Sequence, residues 1–489
     1  MEKSQVFNRL FVGGDLSGIQ RFLYNISSKK AAVSLKGRSF YLRQLMENVC
    51  ADIKQAAEAN GAKTTEVIYS SGGKFYLLTD NTPLIVQAVE TCAKQAKQEL
   101  WDKHKGQLGL NISLVAFNEN SDGTVDCQDA PRQKPDYLWK LVNADFAHQK
   151  SQKFKELLSE SYQDFFEPIP VGGKPKVCAV TGIESPDCIK MPAEDEDDEM
   201  YVLPSVYEQI QKGERLCRED GFKSFNDYVG NTNLGILRMD VDGLGKRITE
   251  GFKSIDQYKT FSNRLKDFFE DETKKIQREP AFKPYLNIIY AGGDDLFVVG
   301  RWDKVIDFAE RIHQETNARF GSEGISISGG IAIVQPKFPI AKAAELAGEA
   351  EDAAKHFRDG EKNAFCLLGK TISWNQEFGY VKSFKQQFVS LIKNFDLSKG
   401  ILHKLMLYSS IADRNKLLRK EGKGENFSYI WHISYYLTRY MKRNKNQAVC
   451  DFCRTLRDRE IDYRNGRNLE LIALAARWAE LVLMDNIND

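Results

Sequence analysis

The sequence predicts a multidomain α+β chain. Two ferredoxin-like β-α-β-β-α-β domains are separated by a small insert and followed by an all-helical C-terminal domain. Three observations predict this. The chain has 489 residues, too many for one hydrophobic core. A strand ending in Asp and a later Gly-Gly hairpin occur together twice. Beyond residue 371 the apolar spacing is helical. The expected limits are 1–166 and 231–370 for the repeated domains, 167–230 for the insert and 371–489 for the helical domain.

Composition narrows the function. Apolar residues make up 42% and charged residues 28%, the balance of a globular protein with a packed core. The net charge of +1 provides no global field toward nucleic acid, so any basic surface is local. Nine cysteines, an odd number without a disulfide framework, suit a reducing cytoplasm. The first residues lack a basic-then-apolar signal, and no run of 18 apolar residues is present, so no membrane span is expected.

The most informative stretch runs from Tyr285 to Gly300. Two apolar, β-branched and aromatic runs flank Gly292-Gly293-Asp294-Asp295, a strand–turn–strand signal. Adjacent carboxylates at a tight turn repel each other and are tolerated when solvent or a divalent cation screens them. Mg²⁺ takes oxygen ligands, usually one or two carboxylates plus phosphates. A partner acid stands upstream: residues 234–239 read as a strand with Asp240 at its end. Val241, Asp242, Gly243, Leu244 and Gly245 then open a helix. A strand-end Asp, a Gly-rich turn and a helix start supply a cation ligand and N–H groups for phosphate. Asp240 with Asp294 is the minimum set for two-metal phosphoryl transfer, with Asp295 as a third ligand or support. A hairpin turn and a helix cap, each with an ordinary capping Asp, is the plainer alternative.

The same words occur earlier. Asp15-x-x-Gly18-Ile19 matches Asp240-x-x-Gly243-Leu244, and Ile68 to Gly73 matches Ile289 to Gly293 within one residue. Helices over 84–104 and 303–320 are each followed by a strand, 111–117 and 325–334, which completes the repeat. Lys74-Phe75 stands in the first copy where the second has Asp294-Asp295. The first copy therefore lacks the acid set. Either it binds a nucleotide through N–H groups at 16–19 and Lys74, or it is structural only.

Other segments say less. Lys36-Gly37-Arg38-Ser39-Phe40 precedes an expected helix over 40–59 and suits either phosphate or a solvated N-cap. Residues 119–166 read as loop and then amphipathic helix. The insert crowds Pro168, Pro170, Gly172, Gly173 and Pro175, and carries six acids, 194–199. Thr181 stands where a zinc pair with Cys178 would need a cysteine, so zinc is not expected. The Ala-rich helix over 340–357 carries Lys355 near its end, either a phosphate ligand or a surface lysine. In 371–489, Lys and Arg interleave with Tyr429, Trp431, Tyr435, Tyr436 and Tyr440, a face for RNA or a neighbouring subunit, or a core with a solvated surface. Cys450 and Cys453 read as core.

On Gly14-Asp15-Leu-Ser-Gly18-Ile19-Gln20, Lys36 to Phe40, Leu237-Arg-Met-Asp240-Val-Asp242 and Gly292-Gly293-Asp294-Asp295, the chain resembles the large palm-domain signature subunit of type III CRISPR effector complexes, subtype III-A. The resemblance covers nearly the whole chain. It implies synthesis of cyclic oligoadenylate messengers from ATP when guide RNA pairs with target RNA inside a multi-subunit complex. It implies that Asp240, Asp294 and Asp295 hold Mg²⁺ or Mn²⁺. Residues 241–245, with Gly292, Gly293 and Lys355, would border the donor ATP. Ser17, Gly18, Gly72 and Gly73 would hold the acceptor ATP. Two departures stand out. No His-Asp dipeptide occurs, so the DNA-cutting domain with which such chains often begin is not expected, and the four-cysteine zinc pattern is degraded. A stand-alone GGDEF-like cyclase and a non-catalytic RNA-binding scaffold are the alternatives.

Overall fold

The computed structural model describes residues 7–26, 30–128, 130–160, 162, 176–191, 200–222, 224–230, 232–424, 428–461 and 466–485. The Pro/Gly-rich stretch at 168–175 and the acidic run at 194–199 lie outside them. The architecture is mixed α/β, with two six-stranded sheets and a helical C-terminal region.

The first sheet is built from β1 (Arg9–Ser17), β2 (Glu66–Ser71), β3 (Lys74–Asp80), β4 (Gly109–Glu119), β5 (Val125–Cys127) and β6 (Ala130–Gln133), in the order β2-β3-β1-β4-β5-β6. Helices α1 (Ala31–Ala59), α2 (Pro83–His104) and α3 (Asp136–Ser151) complete this unit. β1 is apolar at nearly every position because both of its faces are covered. Leu10 and Val12 pack with Leu42, Met46, Ile85 and Val89 of α1 and α2. Phe11, one step out of phase, meets Trp139 of α3 edge to face at 4.9 Å. Trp139 in turn lies 4.1 Å from Tyr258 of the second unit, so the two units share one core.

Between the units the described insert is a folded piece. It has short strands β7 (Lys176–Val177), β8 (Glu184–Ser185), β9 (Ile189–Met191) and β10 (Met200–Val202), followed by α4 (Pro204–Asp220). Cys178, Cys188 and Cys217 are buried there as free thiols beside Val180, Met191 and Val206. Helix α4 crosses α1 at Gly37 and Gly213. A Cβ on Gly37 would lie 1.8 Å from the Gln209 carbonyl oxygen, and one on Gly213 would lie 1.9 Å from that of Val33. Only glycine permits this approach.

That crossing corrects two expectations. Helix α1 starts at Ala31, not near 40, so Lys36 to Phe40 lies inside it. The motif is a clamp. Lys36 pairs with Asp220 at 2.9 Å and donates to the Ile288 carbonyl at 2.6 Å. Arg38 is buried and donates to the carbonyls of Phe22 and Asn25.

The second sheet repeats the first. β11 (Leu234–Val241), β12 (Leu286–Gly292), β13 (Asp295–Arg301), β14 (Ile327–Val334), β15 (Ala364–Leu367) and β16 (Lys370–Ser373) take the order β12-β13-β11-β14-β15-β16. Its helices are α5 (Leu244–Glu250), α6 (Ile255–Asp267), α7 (Trp302–Phe320) and α8 (Ile340–Lys355). The duplication extends to irregularities: pairing shifts between Val67 and Tyr69 in one hairpin and between Ile288 and Tyr290 in the other. Beside the last strand of the repeat the copies differ. β15 pairs with β14 at Gly329, whereas the Gln149 side chain bonds both backbone groups of Ile112, the matching position of β4.

The C-terminal region comprises α9 (Gly379–Asn394), α10 (Gly400–Lys420), α11 (Ser428–Arg443), α12 (Gln447–Thr455) and α13 (Arg467–Met484). β16 runs across the expected boundary at 371, so 371–373 belong to the sheet. Tyr429 and Cys453 are core, Cys450 is half-buried, and Trp431 and Tyr435 stand 76% and 62% exposed. No described helix is long and apolar enough to cross a membrane.

An ion network ties this region to the sheet. Glu470 accepts from Lys370, Lys416 and Arg467, each at 3.1 Å. Burial opposes its ionisation, but the three cations outweigh it and pull its pKa down to about 2.

Two predictions follow from packing and charge. Gly37→Ala should destabilise the chain by about 1–3 kcal/mol through overpacking, read as a lower melting midpoint. A carboxylate whose pKa falls on folding stabilises above its unfolded value and loses that contribution as pH drops. Glu470→Gln should therefore cost about 1–2 kcal/mol near pH 7, after allowance for partial screening, with the gap to the parent chain closing below about pH 3.

Candidate functional site

Strand pairing brings the acids together. Asp240, the penultimate residue of β11, faces Asp295, the first of β13, across the ladder. Asp294 occupies the turn just before β13, and its carbonyl accepts from the Val241 N–H at 3.2 Å. One carboxylate oxygen from each of Asp240, Asp294 and Asp295 lies within 4.8 Å of the others. All three are half-buried. Burial and the Asp240 charge raise the Asp294 pKa to about 6. Burial, then Asp294 and Asp240, push Asp295 well above the carboxylate range. An all-oxygen, multiply anionic cluster with raised pKa values fits a hard divalent cation.

A chain of charges backs the cluster. Lys355, in the last turn of α8, bonds Asp240, and it pairs with the buried Glu351 at 2.8 Å. Glu351 also takes Arg238 of β11 at 3.0 Å. Burial disfavours the Lys355 ammonium, yet Asp240 and Glu351 more than offset it and keep it charged above the usual lysine range. The sequence reading named Lys355 but missed Arg238 and Glu351. The i,i+4 spacing of Glu351 and Lys355 was the available signal.

Asp242 takes a different place from the one expected. Its carboxylate is turned inward, where it accepts from Ser326 at 2.7 Å, Ser328 at 2.9 Å and the Asn363 N–H at 3.0 Å. It fastens β11 to β14 and to the turn before β15. Gly243 caps α5 with φ 69, and a side chain added at Gly243 or Gly245 would meet open space. Val241 is buried and Leu244 packs against the core.

The first unit holds the same frame with opposite chemistry. Asp15 faces Lys74 across β1 and β3, as Asp240 faces Asp295. The register moves the expected match by one residue: Gly72, not Gly73, corresponds to Gly293, and Gly73-Lys74 corresponds to Asp294-Asp295. Lys150, near the end of α3, pairs with Asp15 at 2.7 Å, as Lys355 does with Asp240. Lys74 lies 4.0 Å from the other Asp15 oxygen. Ammonium groups surround the first Asp, and carboxylates surround the second.

The residues expected to hold the acceptor are mostly engaged elsewhere. The Ser17 hydroxyl donates to the Gly109 carbonyl at 3.0 Å, and Gly18 abuts the Gln107 carbonyl. Gly72 (φ 60) and Gly293 (φ 69) meet turn to turn. A Cβ on Gly72 would fall 2.9 Å from the Gly293 Cα. The Gly293 N–H donates to Ser71 Oγ at 3.0 Å, and that hydroxyl bonds Glu270. Gly292 also borders this contact, its added Cβ lying 3.5 Å from Ser71 Oγ.

Known proteins share this layout. Residues 8–169 match the family model for Csm1 subunit domain B, and residues 233–366 match Cas10/Cmr2, second palm domain. Fold and site together define a Cas10-type palm-domain protein. The chain belongs to the Cas10/Csm1 family of subtype III-A CRISPR systems. A single-strand-specific deoxyribonuclease Cas10/Csm1 from Enterococcus italicus is 30% identical over 429 residues, 75% of this chain and 55% of that protein. One from Mycobacterium tuberculosis is 26% identical, covering 83% of this chain and 60% of that protein. The chain thus spans little more than half the length of these relatives. Crystal structures of a Csm1–Csm4 cassette in complex with pppApApA and with cA4 share the fold, with TM-scores of 0.65 and 0.64 at 19% and 18% identity, covering 96% of this chain and 70% of that chain.

The raised Asp294 pKa predicts pH-dependent metal binding. Cations require ionised carboxylates, so Mg²⁺ affinity should rise with pH through about 6 as Asp294 ionises and go on rising above it as Asp295 follows. Calorimetric titration at several pH values checks this, and a flat profile contradicts it.

Proposed function

We propose that the chain joins ATP molecules into cyclic oligoadenylates on its second unit, inside a cytoplasmic complex holding guide RNA, target RNA and other subunits. The convergence of Asp240, Asp294 and Asp295 carries this reading. Both repeated units are read as ferredoxin-like palms, the second as the nucleotidyltransferase. The three acids would hold Mg²⁺ or Mn²⁺. Such cations lower the pKa of an attacking 3′-hydroxyl and take up charge on the leaving pyrophosphate.

The chain's own residues do the rest. The open ground at Gly243 and Gly245 admits the donor triphosphate close to the backbone. Arg238, Glu351 and Lys355 hold Asp240 in place. On the first unit, Lys74 and Lys150 around Asp15 favour the phosphates of an acceptor ATP. Lys150 thereby joins Lys74 and the backbone N–H groups at 16–19 as ligands for the acceptor. The Gly72–Gly293 contact fixes one unit against the other, which supplies proximity without a covalent enzyme intermediate. The relatives' crystal structures with pppApApA, cA3, cA4 and ATP support this substrate class. The exposed Trp431 and Tyr435, with Arg439 over the Tyr435 ring, offer a surface for RNA or a neighbouring subunit.

The test is incubation of the purified complex with ATP, Mg²⁺ and target RNA. Cyclic adenylates should form only when target RNA is present. Asp294→Ala should lower synthesis on the order of 10³-fold while leaving RNA binding unchanged. Product from GTP by the isolated chain would point instead to a stand-alone cyclase.

A further inference from the structure

We infer that Ser71 of the first unit is a positioning residue for Asp294 of the second, and that Glu270 orients it. The inference rests on the reading of the three acids as metal ligands and adds a residue that acts on them from the other unit.

Asp294 takes its place from the turn before it. The preceding residue, Gly293, has φ 69, and its N–H donates to Ser71 Oγ at 3.0 Å in a buried contact. A buried N–H without an acceptor keeps its full desolvation penalty, so the turn is held where this bond forms. Ser71 is itself buried, at the end of β2. A hydroxyl has one hydrogen and two lone pairs. The Ser71 hydrogen goes to the Glu270 carboxylate, which leaves the lone pairs for Gly293. The Tyr69 phenol, kept protonated by burial, stands beside the same hydroxyl.

Glu270 is fixed in turn. It lies in the wide helical turn Phe268–Glu272 that follows α6, between the buried rings of Phe268 and Phe269 and the segment Thr273–Gln277. Such π-type turns interrupt a helix at a cost and recur at functional sites.

The duplicated frame shows that this support is one-sided. Ser71 pairs with Lys74 as Gly292 pairs with Asp295, so Ser71 and Gly292 are equivalent positions. A Cβ on Gly292 would lie 3.5 Å from the Gly72 nitrogen, an ordinary contact, so a serine there could face Gly72 as Ser71 faces Gly293. The sequence has glycine instead. The hydroxyl is supplied only to the turn that leads into Asp294.

Two measurements test this. Mn²⁺ affinity of the full chain is read by calorimetry, with Asp294→Ala as background, and synthesis is read on the purified complex with target RNA. Ser71→Ala should weaken Mn²⁺ binding about tenfold and lower kcat roughly tenfold to a hundredfold, with KM for ATP little changed, because a displaced ligand costs rate more than substrate binding. Ser71→Thr keeps the hydroxyl, and a cavity of about 20 Å³ beside Ser71 accommodates its methyl group, so it should restore both. Glu270→Ala should shift Mn²⁺ affinity in the same direction, and it decides the matter if Ser71→Ala does not fold. Unchanged Mn²⁺ affinity, a loss that threonine fails to restore, or an effect confined to KM overturns the inference while leaving the synthase reading intact. Absence of Mn²⁺ binding in the parent chain overturns both.

Discussion

Three carboxylates confined within 4.8 Å repel one another, and the second unit is arranged to withstand that repulsion. Their positions come from backbone pairing, which the repulsion cannot relax without breaking a buried strand ladder. Asp240 and Asp295 are opposed by register, and the Asp294 carbonyl is tied to Val241. Lys355 supplies the nearest compensating charge and is itself held by Glu351. Removing one acid therefore changes the charges of the cluster more than its scaffold.

The two units show how little separates a metal-type cluster from an ion pair. Both place an Asp near the end of the central strand, and both bring a lysine to it from the helix after the last strand of the repeat. The difference lies across the ladder, where Lys74 stands in one and Asp295 in the other. One side chain in a shared frame separates a cluster of acids from an acid flanked by lysines. The neighbouring residues follow suit, since Asp294 has only Gly73 as its counterpart.

Much of this was legible beforehand. Both hairpins were plain because their strands are apolar, β-branched and aromatic runs punctuated by Gly-Gly. The acid set was plain because strand ends and tight turns are where the chain can present side chains together. Other features were not. The one-residue offset between Gly72 and Gly293 depends on matching bulges that no local pattern announces. The early start of α1 was hidden because Lys36 to Ser39 looks polar, whereas Lys36 and Arg38 find their partners in distant segments. The inward turn of Asp242 depends on Ser326, Ser328 and Asn363, all more than 80 positions away.

The meeting of Gly72 with Gly293 has a mechanical corollary. The two halves touch there through bare backbone, with one hydroxyl, that of Ser71, as the latch. The next residue along is Asp294. A lever arm acting on either half from outside would transmit its strain to Asp294 with no side chain between to cushion it.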